Sequence, residues 1–262
     1  MLKPLLHNKL NRADAEKILA TEKFNRLVIS FYRYVEIENA KVLRNLLFEE
    51  WSKLNVLGRV YLASEGINAQ VSVPEPLLNR FRDLVDSVAS LRGVAFNFGA
   101  EKSKLSFYKL VIKVKKQIVA DGIKEVDFDL NNIGKKLSAL DWNKKMDDGA
   151  IVVDMRNHYE SEVGHFNGAV LPQSVTFKEE LPIVVNLLKG KEDDPVMLYC
   201  TGGIRCEKAS AYLKHNGFKD VNQLDGGIIN YVKSVKENNL ENKFKGLNFV
   251  FDGRMGERVT DD

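Results

Sequence analysis

The sequence predicts a two-domain α/β protein, in which an α+β unit precedes a unit built around a parallel sheet. The first half of the 262-residue chain alternates amphipathic strands and helices in the order β-α-β-β-α-β. The second half alternates short, continuously apolar strands with amphipathic helices, which is typical of a parallel sheet covered on both faces. A polar stretch at 121–135 lies between the two patterns and is predicted to be a linker.

The first half predicts a ferredoxin-like fold, an antiparallel sheet backed by two helices. The predicted elements are, in order, a strand at 26–35, a helix after the N-cap residue Asn39, strands at 56–63 and 67–73, a helix after Pro76 and a last strand region at 95–119. The strands at 56–63 and 67–73 flank a turn at 64–66, and the second of them alternates apolar and polar residues. They are therefore expected to pair with one face exposed to water.

The final strand of this unit, residues 106–119, is predicted to have one apolar and one basic face. The apolar face carries Tyr108, Leu110, Ile112 and Val114. The opposite face carries Lys109, Lys113 and Lys115. Two interpretations remain open: the lysines form the solvent-exposed face of a half-buried sheet, or they contact the phosphates of a nucleic acid.

The second half predicts an α/β domain at 136–240. Its expected elements are a helix at 137–148, an apolar strand at 149–156, a helix at 179–189, a buried strand at 195–200, a helix ending at Gly217, a strand at 220–228 and a further helix from Ile229. With the linker, the predicted organisation is an N-terminal arm (1–22), the ferredoxin-like domain (23–120), this domain, and a C-terminal extension (241–262).

Composition favours a cytoplasmic protein. The chain has no apolar run long enough to cross a membrane, and charges interrupt its N-terminus where a signal peptide needs apolar residues. Its 2 cysteines are too few for the disulfide framework of a secreted domain. A net charge of +3 permits an anionic partner without requiring one.

Both cysteines fall in one short stretch, "YCTGGIRCEKAS", at 199–210. Cys200 stands at the end of the buried strand, where α/β sheets carry their reactive groups. The loop that follows, formed by Thr201, Gly202, Gly203, Ile204 and Arg205, can turn several backbone N–H groups inward ahead of a helix. Such a nest stabilises a thiolate, so Cys200 is predicted to be a nucleophile with a lowered pKa.

The length of this loop favours sulfur chemistry over phosphate chemistry. Only four residues separate Cys200 from Arg205, and Tyr199 precedes the cysteine. Cysteine phosphatases use a longer loop, usually preceded by histidine, whereas the shorter ring resembles that of rhodaneses, which hold one sulfur atom as a persulfide. "VVDMRNHYESEVGHFNGAVLP" (152–172) and "LDGGI" (224–228) resemble further rhodanese segments. The resemblance implies a rhodanese-like parallel-sheet fold for the second domain.

Longer segments narrow the resemblance. Three segments occur together in this chain: "GRVYLASEGINAQVS" (58–72), "YCTGGIRCEKASA" (199–211) and "FDGRMGERVTDD" (251–262). In this combination the chain resembles the bacterial rhodanese-domain tRNA uridine hydroxylases, which form 5-hydroxyuridine at the wobble position. The resemblance implies a tRNA substrate, molecular oxygen as co-substrate and Cys200 as the essential residue. Members of this family commonly continue into a cysteine-rich tail, so the chain is expected to be truncated at Asp262.

The residues alone do not predict hydroxylation. The 4 histidines lack the spacing of an iron site, and no flavin or nicotinamide fingerprint is present. Two alternatives therefore stay open: a persulfide sulfurtransferase with its own sulfur donor, and a tRNA-binding module without catalysis. Expected supporting residues of the site are Asp154, Arg156 and Cys206, the last either a packed small residue or a thiol that resolves a persulfide. Arg254 and Arg258 are candidate phosphate contacts or part of a solvated tail.

Overall fold

The protein is described here from a computed structural model, which covers residues 11–99, 106–120, 122 and 129–250, together with the backbone of 257–258. The chain divides into two compact units between Ile118 and Val119. Within the described ranges, no helix is both long and apolar enough to span a membrane.

The first unit contains one five-stranded sheet. Its elements are α1 (Arg12–Thr21), β1 (Arg26–Tyr34), α2 (Ala40–Lys53), β2 (Leu57–Ala63), β3 (Gly66–Pro74), α3 (Leu78–Ser87), β4 (Asn97–Phe98) and β5 (Leu110–Val114). The strand order is β4-β1-β3-β2-β5. The first four strands pair antiparallel in the order 4-1-3-2, which confirms the predicted ferredoxin-like fold.

The prediction of one last strand region at 95–119 is wrong, because this region supplies two strands to opposite edges of the sheet. The fourth strand of the ferredoxin-like unit is the two-residue β4, which pairs with β1. β5 is a fifth strand and pairs parallel with β2. At the β2 edge, Leu110 and Ile112 of β5 are buried in the core beside α2. An alternating pattern predicts that a strand exists but not which edge it joins.

The core of this unit lies between the sheet and its two long helices. In α2, the buried Leu43, Leu47 and Trp51 follow one another at four-residue spacing, so they form one stripe facing the sheet. The Asn39 side chain accepts a hydrogen bond from the Val42 N–H and fixes the start of the helix, as predicted. Trp51 packs edge-on against Phe81 of α3.

The second unit is built on a four-stranded parallel sheet. Its elements are β6 (Lys135–Leu137), α4 (Ala139–Asp147), β7 (Ile151–Asp154), α5 (His158–Ser161), β8 (Gly164–Phe166), α6 (Phe177–Leu187), β9 (Val196–Tyr199), α7 (Ile204–His215), β10 (Val221–Leu224), α8 (Gly227–Asn238), β11 (Phe244–Asn248) and β12 (Glu257–Arg258). The order β6-β10-β9-β7, parallel throughout, confirms the predicted parallel sheet. β8, β11 and β12 form a small antiparallel sheet.

The short strands of this unit extend past the boundaries expected from the sequence. β6 begins at Lys135, inside the expected linker, and pairs with β10. β11 falls within the expected C-terminal extension and pairs with β8. A three-residue strand such as β6 carries too little periodicity to be detected in a sequence. In the main sheet β7, β9 and β10 are buried almost throughout, so their carboxyl ends and the loops that follow are held firmly.

Candidate active site

Cys200 lies directly after β9, at the carboxyl end of the parallel sheet. A hydrogen bond from the segment after β7 holds the strand end, since the Met155 N–H donates to the Tyr199 carbonyl at 2.8 Å. Reactive groups of α/β sheets are found at such an edge, because a loop there leads into the N-terminus of the next helix. The side chains of both Cys200 and Cys206 are buried and reduced.

The active-site loop, residues 200–205, turns back on the cysteine sulfur. Gly203 has φ +96°, a left-handed conformation that favours glycine, and it caps α7. This conformation aims the Gly203 N–H at the Cys200 Sγ, 3.1 Å away. Because α7 begins at Ile204, Arg205 and Cys206 both lie in its first turn, where the helix dipole favours negative charge on a nearby sulfur.

The N-terminus of α8 binds the backbone of this loop. The Ile228 N–H donates to the Cys200 carbonyl at 3.0 Å, and the Ile229 N–H donates to the Thr201 carbonyl at 3.2 Å. A Cβ on Gly227 would stand 2.5 Å from the Cys200 carbonyl oxygen and 2.7 Å from the Gly202 nitrogen, so only glycine fits there. The second glycine of the "DGGI" segment thus serves the active-site loop directly.

A buried ion pair fixes Arg205. Its guanidinium donates from Nη1 and Nη2 to the two carboxylate oxygens of Glu160, at 2.7 and 3.0 Å. Nη2 also reaches the Thr201 hydroxyl at 3.3 Å, and that hydroxyl donates to Glu160 at 3.3 Å. Glu160 lies in α5 and is fully buried, so the pair ties the loop to the segment after β7. In the sequence, Glu160 is recognisable only as part of the segment that resembles rhodaneses, because no local pattern identifies it as the partner of Arg205.

These surroundings lower the pKa of the Cys200 thiol to about 6. Burial acts in the opposite direction and raises it. The hydrogen bond from the Cys206 thiol, the charge of Arg205 and the backbone N–H groups of Cys206 and Arg205 together outweigh the burial. For Cys206, burial and the neighbouring Cys200 raise the pKa well above its ordinary value. At neutral pH the pair therefore consists of a Cys200 thiolate and a Cys206 thiol that donates to it.

Asp154 and Arg156 form a second buried pair that frames the end of β9. Arg156 donates from Nε and Nη2 to the Asp154 carboxylate at 2.8 and 2.6 Å, and from Nη2 to the Gly164 carbonyl at 2.6 Å. The Tyr199 hydroxyl donates to Asp154 at 2.6 Å. Asp154 thus holds the residue that precedes Cys200, and the network links the ends of β7, β8 and β9.

Glu180 is a buried acid that the sequence analysis missed. It lies on the buried face of α6 together with Phe177, Leu181 and Val184, at the spacing of an apolar stripe. Neither carboxylate oxygen has a hydrogen-bond partner within the described part of the chain. Burial raises the pKa of Glu180 to about 9, partly offset by the charge of Arg205, so this carboxyl is neutral at pH 7.

The other predicted site residues lie elsewhere. Lys109, Lys113 and Lys115 are all exposed along β5, in the first unit. Arg258 lies in β12, where its backbone pairs with Leu247, and Arg254 lies outside the described residues. Among the residues that the structure covers, no three His, Cys, Asp or Glu side chains are grouped as a metal site would require.

Two family models match the chain, one for each domain. The model of the UPF0176 acylphosphatase-like domain matches residues 26–118, and the model of the rhodanese-like domain matches residues 138–234. Among solved structures, the rhodanese-like domain of an Anabaena protein aligns over 44% of this chain and 80% of its own, at 18% identity and a TM-score of 0.35.

Curated relatives match over nearly the whole sequence. The tRNA uridine(34) hydroxylase of Leptospira interrogans is 54% identical over 98% of this chain and 70% of its own length. The tRNA uridine(34) hydroxylase of Yersinia pestis is 48% identical over 99% of this chain and 74% of its own length. At this identity and coverage, the chain belongs to the tRNA uridine(34) hydroxylase family.

Proposed function

We propose that this protein hydroxylates uridine 34 of tRNA at C5, with molecular oxygen as co-substrate and Cys200 as the essential residue. The relatives in the previous section are named tRNA uridine(34) hydroxylase and align over both domains. The structural observation that carries the proposal is the Cys200 thiolate, held by a backbone N–H and a helix N-terminus at the end of β9. We place the reaction in the cytoplasm, where tRNA is available.

Cys200 supplies a nucleophilic sulfur to this reaction. A thiol with a pKa of about 6 is about 90% ionised at pH 7, so the reactive form predominates without a separate base. As a thiolate or a persulfide, this sulfur assists activation of the substrate or of oxygen. When oxygen is the oxidant, one atom enters the base and the other leaves as water, so the reaction also consumes a two-electron reductant.

The test is nucleoside mass spectrometry of tRNA from cells that lack the gene and carry a plasmid copy. Wild-type protein should restore 5-hydroxyuridine and its derivatives, and Cys200→Ser should not. Arg80→Glu, an exposed change on α3, serves as the matched control for expression. Restoration by Cys200→Ser would refute the essential role of the thiol. Growth without oxygen should abolish the product with the wild-type protein too.

Persulfide transfer is the second candidate, and the small ring around Cys200 favours it. The Gly203 N–H points at the sulfur, and such a donor also stabilises a terminal persulfide sulfur. Incubation with thiosulfate should then add the mass of one sulfur atom to Cys200, in an adduct that dithiothreitol removes. A sulfinic acid has nearly the same mass but resists the reductant, so the two are distinguished. Loss of thiolated uridines in the deletion strain would favour this activity over hydroxylation.

A further inference from the structure

A cleft of about 830 Å³ runs along one edge of the first unit's sheet, where α2 packs beside the edge strand β5. Residues from these two elements and their immediate flanks line it. The lining consists of Lys41, Arg44, Asn45 and Phe48 from α2, and of the seven consecutive residues 109–115 around β5. All the lining residues that the structure describes therefore belong to the first unit, whereas Cys200 belongs to the second.

The cleft is strongly cationic. Among the lining residues that the structure describes, none is acidic and five are basic: Lys41, Arg44, Lys109, Lys113 and Lys115. In the described part of the chain, none of these five forms an ion pair, whereas other exposed cations of the unit do, such as Arg12 with Glu16 and Lys53 with Glu50. The sequence pattern identified the three lysines in and beside β5, but not the two α2 residues that line the same cleft.

The lysines around β5 follow a straight line. The Gly58 N–H donates to the Lys109 carbonyl at 3.0 Å and the Lys115 N–H donates to the Leu62 carbonyl at 2.7 Å, so the pairing with β2 extends one residue beyond each end of β5. At about 3.3 Å per residue, Lys109 and Lys115 lie about 20 Å apart. This line can follow several phosphates of one nucleic-acid strand.

The backbone adds donors to the same edge. Because Lys109 and Lys115 use their backbone groups on β2, alternate residues of the strand direct theirs away from it, toward the cleft. These residues are Leu110, Ile112 and Val114. Backbone N–H groups at an unpaired edge can bind phosphate oxygens, as they do in many protein–nucleic acid interfaces.

We propose that this cleft binds the phosphate backbone of the tRNA substrate along the outer edge of β5, with Lys41 and Arg44 on the α2 side of that edge and the three lysines around β5 on its other side. The inference rests on the proposed function, which makes tRNA the polyanion that the protein must hold. The cleft suits a flexible phosphodiester chain in three respects. Its basic side chains form no ion pairs within the described residues, none of its described lining residues is acidic, and the lysines around β5 lie in a line. The ordinary explanation for lysines on an edge strand is protection against strand pairing between molecules, and it predicts a different outcome below.

The experiment measures tRNA affinity against salt concentration, using fluorescence anisotropy with purified tRNA. The triple variant Lys109→Gln, Lys113→Gln, Lys115→Gln removes three charges. It should make the negative slope of log K against log salt shallower by about 2 to 3, because each phosphate contact contributes roughly 0.7 to 0.9 to its magnitude. Lys41→Gln with Arg44→Gln should make it shallower by about 1.5. Arg80→Gln on α3, outside the cleft, should leave the slope unchanged.

The outcomes separate this inference from the proposed function. An unchanged slope and an unchanged affinity in both cleft variants would overturn the cleft as a tRNA site. If the triple variant then self-associated while its tRNA binding stayed normal, the lysines would instead protect the edge strand from pairing with other molecules. If the variants also made normal amounts of 5-hydroxyuridine in cells, the hydroxylase would stand without the cleft. Cys200→Ser should show the converse, with tRNA binding retained and product lost. Failure of the wild-type protein to bind tRNA would overturn both proposals.

Discussion

Replacing Cys206 by alanine is expected to raise the pKa of the Cys200 thiol. Among the interactions that lower this pKa, the hydrogen bond from the Cys206 side chain is the largest. A hydrogen bond to a charged group contributes about 1.5–3 kcal/mol, which corresponds to roughly one to two pKa units. The pKa should therefore rise from about 6 to about 7 or 8. Serine at position 206 keeps a donor in the same place, so Cys206→Ser should show a smaller rise.

The assay is thiolate absorbance near 240 nm between pH 4 and pH 9. The chain has only 2 cysteines, and the pKa of Cys206 is raised well above its ordinary value, so the two titrations should be resolved. Wild-type protein should show one step centred at about 6, and Cys200→Ser should lose it. At pH 6.5 the ionised fraction of Cys200 should fall from about three quarters to a quarter or less in Cys206→Ala.

Three results would refute this reasoning. The first is a wild-type titration with no step below pH 7, which would mean that burial outweighs the stabilising contacts. The second is an unchanged midpoint in Cys206→Ala, which would assign the low pKa to the charge of Arg205 and the helix N-terminus alone. The third is an equal rise in Cys206→Ala and Cys206→Ser, which would attribute the effect to packing and not to a hydrogen-bond donor.

Three further substitutions test other parts of the site. Glu180 stays neutral in the folded protein up to pH about 9, but in the unfolded chain it ionises near its ordinary pKa. As the pH rises between these two pKa values, the free energy of unfolding of the wild-type protein should therefore fall, by at most about 1.4 kcal/mol per pH unit. Glu180→Gln should lack this slope in urea unfolding, and an equal slope would contradict the buried neutral acid. Gly227→Ala should lower the free energy of unfolding by about 2–5 kcal/mol, because a Cβ at this position would lie 2.5 Å from the active-site loop. The control is Gly190→Ala, where φ is also positive but a Cβ has no atom within 4 Å, and its expected loss is about 1–2 kcal/mol. Equal losses, measured by urea unfolding, would exclude the steric effect. Glu160→Gln leaves the Arg205 charge buried without its partner and should cost about 3 kcal/mol by the same measurement; a loss below about 1 kcal/mol would show that the pair is screened.

The features that the sequence predicted well are those with a periodic pattern or a local signature. The stripe of α2, its cap at Asn39 and the buried strand before Cys200 each depend on neighbours in sequence, so they were recognisable without the fold. The active-site loop was predicted for the same reason, since the nest, the glycines and the helix start all fall within a few residues. The position of Arg205 beside the thiolate follows from its place in the first helical turn.

The features that the sequence did not predict depend on contacts between distant segments. β5 pairs with β2, where its apolar residues are buried beside α2, while β4 pairs with β1, and no local pattern carries that information. Glu180 occupies a position of the apolar stripe of α6, but its residue type predicts a surface position, and only the packing of the helix shows that the carboxyl group is buried. Glu160 and Arg205 are 45 residues apart in sequence. Their ion pair can be recognised only when the positions of α5 and α7 in the fold are known.

Complete burial of Cys200 sets a size limit on whatever reacts with it. Its side chain has 0% exposure, so a water molecule cannot touch the sulfur in this conformation. A nucleobase must therefore displace part of the loop to reach it, while a diatomic gas needs far less room. The same enclosure slows attack by thiols such as glutathione or dithiothreitol, so a group attached to the sulfur would persist until the loop opens. Movement of the loop, and not reactivity of the sulfur, would then set how long an intermediate survives.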